Sequence, residues 1–348
     1  MTLKRLSIFI LVIFLIMNIS CFAQDIQNNP GDYMTEITKA RGDMDTKYMQ
    51  YVSAAAHGRR ARKVEKLRQQ VLDNITDCRY KTIGLPKYKG DNSLRQGSID
   101  YIQFCYRIFN EDYKKIVNME ELAEQSFDEM QAYILLQEMI DQKLHEASAN
   151  LQKATTDFAA KYNVNLIEEK SPLSAKMDMA GKLNHYMNNV YLVFFKCNWE
   201  DNQMVTAMNN KKLNDIEQSR NALARYANEG FQALDTMRVF DGDPSLANAC
   251  RGTLSFYKNL AEKDMPQLTD FYLKQDEFEK TKKAFEAKSG SATKQEVNDY
   301  NKAVKEMNNS INTFNQTNNK VNSNRKQVLS DWDNAEKKFA DEHMPYYR

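Results

Sequence analysis

The side chains that could do chemistry in this chain are few and scattered. The four histidines are His57, His145, His185 and His343. None has the partner that a di-iron bundle builds from paired Glu-x-x-His motifs, and His145-Glu146 lacks the second histidine of a zincin helix. Asp341-Glu342-His343 is a weak metal-contact cluster that also reads as a solvated helix end. Cys78, Cys105, Cys197 and Cys250 follow no metal-ligand spacing. A phosphate-binding glycine loop, a nucleophile elbow and Cys-x-x-Cys are all missing from the sequence. No acid, base and nucleophile are assembled, so the sequence predicts no enzyme, no cofactor and no metal site.

One polar pair stands out by position. Seven-residue spacing over 293–343 gives a row Val297, Val304, Ile311, Asn318, Arg325, Trp332, Phe339, with Tyr300, Met307, Phe314, Val321, Val328 and Ala335 as its companion. Such spacing predicts bundle or coiled-coil packing. Asn318 and Arg325 occupy core positions of that row. A buried Arg must find a carboxylate, reach solvent along its stem, or face a ligand or partner. The pair is therefore the candidate interaction site, a polar gap between helices where something anionic could bind.

Charge narrows the partners further. Lys and Arg number 48 against 47 Asp and Glu, for a net charge of +1. No global field points to nucleic acid or to a membrane surface. The basic run His57 to Lys63 and the acidic run Glu120, Glu121, Glu124, Asp128, Glu129 read as solvated faces, or as opposed hairpin tips.

These groups must be held by helices. The chain has only 11 Gly and 6 Pro, and none between Gly97 and Pro172. Two short joints organise it, Gly90-Asp91-Asn92-Ser93-Leu94 and Gly242-Asp243-Pro244-Ser245-Leu246. Each Gly supplies a reversal. Asp91 and Asp243 are the expected N-caps, and Pro244 suits a first helical position. At an offset of 152 the copies share Gly90/Gly242, Asp91/Asp243, Ser93/Ser245, Leu94/Leu246, Phe104/Phe256 and Asp112/Asp264. Tyr48-Met49 and Val52 match Tyr186-Met187 and Val190 at 138, while Ala154, Phe158 and Ala159 match Ala335, Phe339 and Ala340 at 181. The offset grows by 14 and then 29, about four and eight helical turns. This predicts an all-α fold, an elongated antiparallel helical bundle of two tandem three-helix units with coiled-coil-like packing. The units are placed at 24–170 and 171–348, the second a copy longer in every helix.

Finer expectations follow along the chain. Residues 24–32 form a loose lead-in and 163–177 a linker. Seven-residue rows from Ile102 to Phe158 would make one helix about 85 Å long. The repeat arithmetic instead places a hairpin near 118–127, with Ser126-Phe127-Asp128-Glu129 as a capping box. A helix spans about 178–238, with Val190 to Phe195 its most buried part. Pro266 kinks or restarts a helix, and Lys288-Ser289-Gly290-Ser291 is a hairpin loop.

Residues 1–23 read as a secretory signal peptide. Lys4 and Arg5 precede an apolar run from Leu6 to Met17, too short to span a bilayer, and Ala23 precedes Gln24. Cys21 offers a competing lipoprotein reading, in which lipidation there would anchor the chain to a membrane. In an oxidising compartment the four remaining cysteines allow two disulfides in any of three connectivities, or packed thiols. The ending Cys21-Phe22-Ala23-Gln24, the helical mature chain and the opening Tyr48-Met49-x-x-Val52 resemble uncharacterised all-helical surface proteins and lipoproteins of Bacteroidota and leptospires. That resemblance implies an address and no activity.

The expected function is that of an exported, non-enzymatic protein of the periplasm or cell surface of a bacterium. It would be a structural or interaction module for an envelope or extracellular protein, with a carrier of a small apolar ligand or metal as the alternative.

Overall fold

The computed structural model describes residues 28–57, 61–112, 122–166, 172–288 and 290–347. The signal-peptide reading, Cys21, Glu120 and Glu121 lie outside these residues. The fold is all-α, with 87% of the described residues helical. Its helices are α1 (Pro30–Ala56), α2 (Ala61–Gly84), α3 (Ser93–Arg107), α4 (Phe127–Lys161), α5 (Pro172–Asn209), α6 (Leu213–Thr236), α7 (Ser245–Asn259), α8 (Met265–Glu286) and α9 (Lys294–His343). Single π turns, Ile108–Asp112 and Leu260–Asp264, follow α3 and α7.

By packing, the chain divides into two compact units. The first holds the described residues up to Ala123, Ala132–Lys182 and those from His343 onward. The second holds Glu124–Gln131 and Leu183–Glu342.

The joints form as a two-residue reversal in each unit. Lys89 and Gly90 have φ of 47° and 85°, and Asp241 and Gly242 have 48° and 78°. These are type I′ turns, for which Gly at the second position carries no side-chain penalty. Antiparallel bridges Tyr88–Asp91 and Phe240–Asp243 close them. The aspartates sit one residue earlier than a cap. Asn92 and Pro244 hold the cap positions and make no side-chain cap bond. Asp91 Oδ1 and Asp243 Oδ1 accept instead from the Ser93 and Ser245 N–H groups, both at 2.8 Å. The first free N–H of each helix is satisfied all the same.

The likeness between the units extends beyond the joints. Adding 152 to the bounds of α2, α3 and the first π turn gives those of α6, α7 and the second. Tyr33, Tyr88 and Phe158 form a ring triad with all three pairs 5.3–5.7 Å apart. Tyr186, Phe240 and Phe339 repeat it at 5.6–6.2 Å. Tyr186 thus takes the place of Tyr33, at an offset of 153, and not that of Tyr48. Tyr33-Met34-x-x-Ile37 and Tyr48-Met49-x-x-Val52 present the same pattern about four turns apart on one helix, so the sequence pattern could not choose between them. The lengthening is also not spread over every helix. Between the Phe240 and Phe339 matches the offset rises from 152 to 181, so all 29 added residues lie in the α8–α9 hairpin.

Several boundaries differ from expectation. Pro30 opens α1 directly, because Asn29 Oδ1 accepts from the Gly31 and Asp32 N–H groups and Pro suits the first position. Pro172 opens α5 within the expected linker. The helix expected over 178–238 breaks after Asn209. There Lys211 adopts φ 55° and Lys212 N–H reaches back to the Ala207 carbonyl, a left-handed C-terminal motif. Pro266 does mark a restart, as expected: it falls in the first turn of α8, where its missing N–H costs little. Ser126 Oγ does accept from Glu129 N–H, capping α4 as a helix of its own, so 98–162 is not one helix. Thr293 and Glu296 form a reciprocal capping box at the start of α9.

The cores are aromatic and aliphatic. Of the stretch Val190 to Phe195, Val190, Phe194 and Phe195 are buried while Tyr191, Leu192 and Val193 are half-buried, and Phe194 stacks on Trp332 at 4.4 Å. Each such side chain contributes about 1.5–3 kcal/mol on burial. Gly230 permits the approach of α6: a Cβ there would meet Val193 at 3.0 Å and Leu254 at 2.9 Å. Both α9 rows are buried only in part: Met307 and Val321 of one and Trp332 and Phe339 of the other are buried, whereas Val297 and Ile311 remain 38% and 37% exposed.

Candidate functional site

α5 brings an acid to the place where its apolar spacing calls for a hydrophobe. Val190, Phe194, Cys197 and Met204 are buried along one face, and Asp201 on that face is 1% exposed. A lone buried carboxylate is costly unless it is paired. Its partner is Arg325 of α9, whose Nε donates to Asp201 Oδ2 at 2.6 Å and whose Nη2 donates to Oδ1 at 2.9 Å. This is a two-pronged guanidinium–carboxylate contact. Arg325 Nη1 also donates to Asn322 Oδ1 at 2.8 Å, and Asn322 Nδ2 donates to Asn318 Oδ1 at 3.4 Å. Burial pushes the Asp201 carboxyl up and Arg325 opposes it.

Asn318 and Arg325 are therefore joined through Asn322, and the anion that Arg325 faces belongs to its own chain. The sequence reading named the carboxylate requirement but not Asp201. The signal was available in the spacing 190, 194, 197, 201, 204. Beside this group the buried Tyr257 on α7 donates its hydroxyl to Asn198 Oδ1 at 3.0 Å. Every polar group named here is satisfied, and none is a nucleophile beside a base. The arrangement ties α5 to α9.

The first unit fills the equivalent layer differently. By the offsets above, Asn198 and Asp201 correspond to Asp45 and Tyr48, Tyr257 to Cys105, and Asn322 and Arg325 to Asp141 and Leu144. Asp45 is partly buried, and its nearest cation is Arg41, 3.8 Å away on the same helix. Burial pushes its carboxyl up to about 6 against the pull of Arg41. Burial likewise pushes the Tyr48 hydroxyl up, with Asp141 adding to it. The thiols of Cys78 and Cys105 are raised by burial to about 11 and about 12. Thiols held protonated in this way are poor nucleophiles. All four described cysteines are buried free thiols, Cys78 and Cys105 in one apolar cluster of the first unit.

The other sequence candidates are not gathered into a site. His145 and His185 are exposed on α4 and α5. His57 stacks on Tyr346 at 3.7 Å, and His343 ends α9. Arg62 and Lys63 are exposed. Among the described residues no three His, Cys, Asp or Glu side chains converge on a metal position, and no helix is long and apolar enough to cross a membrane.

The longest departure of the second unit from the first is the α8–α9 hairpin. Ring contacts hold its two helices together: Phe271–Phe314 at 4.4 Å, Phe285–Tyr300 at 4.4 Å and Phe278–Tyr300 at 6.2 Å. Between the helices runs an open groove of about 530 Å³, floored by Phe278 and Met307 and walled by Lys274, Glu277, Glu306 and Ser310. Leu273, Val297 and Ile311 are apolar and exposed. No protein family, curated protein or solved structure matches the chain.

Proposed function

We propose that this is an exported, non-enzymatic protein of the bacterial cell envelope. It is built from two copies of one helical unit and engages a protein partner through the α8–α9 hairpin. The observation that carries the reading is the hairpin itself. The second unit is 29 residues longer there and nowhere else, and the extra length is held by rings between two helices while Leu273 and Val297 stay exposed. Added surface with apolar side chains left in water is what an interaction site requires. Export is supported by Lys4-Arg5, the apolar run to Met17 and Ala23 before Gln24.

The test shortens the hairpin by two heptads per helix, removing 273–286 and 295–308 so that the remaining apolar positions stay in phase. Circular dichroism and the melt of the remaining units should survive. Partners recovered by cross-linking in the envelope should be lost. A shortened chain that keeps every cross-linked partner would sink the reading. Intact mass of the recovered protein decides the address: a chain beginning at Gln24 is expected, and a lipid on Cys21 would replace simple export with anchoring.

A further inference from the structure

The outward side of α9 is built largely from one residue type. Stepping by three and four in turn from Asn298 to Asn322 gives eight positions, of which seven are Asn and one is Lys305. All eight are exposed. On a helix packed in seven-residue register these steps trace one straight row, about 36 Å long at 1.5 Å per residue. The buried Met307 and Val321 mark the packed side of the same helix. From Met307 to Asn324 the only charged residue is Lys320, which Asp264 engages at 3.1 Å. In the whole chain 27% of residues are charged, so a stretch of that length would ordinarily hold several.

Asn is a weaker helix former than Lys, Glu or Gln, because its side chain competes for nearby backbone groups. A surface that needed only helix and solubility would take charged residues, as α8 does with the exposed Glu277, Glu279, Lys280 and Lys283. The equivalent helix of the first unit, α4, has one Asn among 35 residues, against eleven among 50 in α9. The row therefore belongs to one helix and runs against its helical propensity. Its side chains are also uncommitted. Asn308, Asn312, Asn315 and Asn319 make no side-chain hydrogen bond to any described residue.

A carboxamide carries two donors and an acceptor and no charge. Neighbouring sugar hydroxyls, each of which donates and accepts, are its complement. Phosphate or nucleic acid would call for Arg and Lys in place of Asn. A protein partner would call for an apolar or aromatic centre, and the row holds none. A regular row also asks for a regular ligand. Successive positions rise by about 5 Å, close to the advance per sugar of an extended β-1,4-linked chain.

We infer that the asparagine row of α9 is a binding site for an extended, uncharged β-1,4-linked polysaccharide, one carboxamide to each sugar. None of the row lines the groove between α8 and α9. The inference goes beyond the protein-partner reading and stands independently of it.

The test is calorimetric titration of the chain beginning at Gln24 with cellohexaose and, separately, with chitohexaose, which distinguish plain from N-acetylated sugars. At least one should bind, and the matching trisaccharide should bind more weakly because it spans half as many positions. Maltohexaose, whose α-linked chain curls, should not bind. In a variant carrying Asn308→Ala, Asn312→Ala, Asn315→Ala and Asn319→Ala, affinity should fall by more than about tenfold. Its melting temperature should hold or rise, since Ala is the better helix former, so the loss would not be one of folding. The inference is overturned if neither β-linked hexasaccharide binds, or if the trisaccharide or maltohexaose binds as well. An Ala variant that binds unimpaired, or that melts lower, overturns it too, the second by giving the asparagines to the fold.

Discussion

The middle layers of the two units occupy the same place on equivalent helices and are built from opposite chemistry. In the second unit Asp201 and Arg325 are buried together, bound through two hydrogen bonds and extended by Asn322 to Asn318. In the first, Leu144 stands where Arg325 would be, and Asp45 has Arg41 at 3.8 Å as its nearest cation. The difference shows two ways in which a bundle tolerates an acid in its interior. One supplies a fixed cation and keeps the charge. The other supplies little and lets the carboxyl hold its proton to higher pH. Neither layer needs a ligand to be satisfied. A buried pair contributes little net stability, yet it penalises any slip that separates its members. The second unit, which carries the longer hairpin, is the one whose α9 is pinned in register.

The comparison can be broken most severely at Arg325. Arg325→Leu leaves Asp201 buried without its cation and should cost about 3–5 kcal/mol in urea unfolding, whereas the paired change Asp201→Leu with Arg325→Leu should recover most of that. Equal losses in the single and double variants would mean that the pair is not coupled.

A smaller effect is expected at Asp45. Its folded value lies above its ordinary one, so its contribution is complete at low pH and is lost as pH rises through about 6. Asp45→Asn should therefore stabilise the protein by on the order of 2 kcal/mol at neutral pH, with the gain vanishing toward about pH 4. A gain independent of pH would assign the effect to packing.

The smallest changes are at the joints. Asp91→Ala and Asp243→Ala should each lower stability by about 1 kcal/mol, additively. Asp91 also receives Lys161 Nζ at 2.7 Å and the Tyr162 hydroxyl at 3.1 Å. Lys161 foremost, with the Ser93 N–H, holds its carboxyl well below the usual range. A depressed acid stabilises above its ordinary pKa, so the gap between wild type and Asp91→Ala should close as pH falls. Thermal melts across pH check both points.

Much of this architecture could be read from residue types. The glycine–aspartate reversals, the Ser126 cap, the 288–291 loop and the all-helical character follow from local chemistry acting over a few residues. The need of Arg325 for a carboxylate was also legible, because a core row states what its polar member lacks. Asp201 was not found, since it lies 124 residues away and only the three-dimensional pairing of α5 with α9 joins them. The break at Asn209 carried no Gly or Pro, and Lys211 is held at positive φ by hydrogen bonds that a pattern cannot display. The mismatch of Tyr48 with Tyr186 had a different origin. Two turns of α1 bear the same motif, and only ring contacts say which one is equivalent.

The π turns set the direction in which each unit continues. A π turn holds one residue more than the α-helix around it, and that residue rotates everything beyond by about 100°. Both units carry theirs 15 residues after the start of the helix that follows the joint. In the second unit the turn lies directly before α8, so the face on which Phe271, Phe278 and Phe285 meet α9 is the one that this extra residue has brought round.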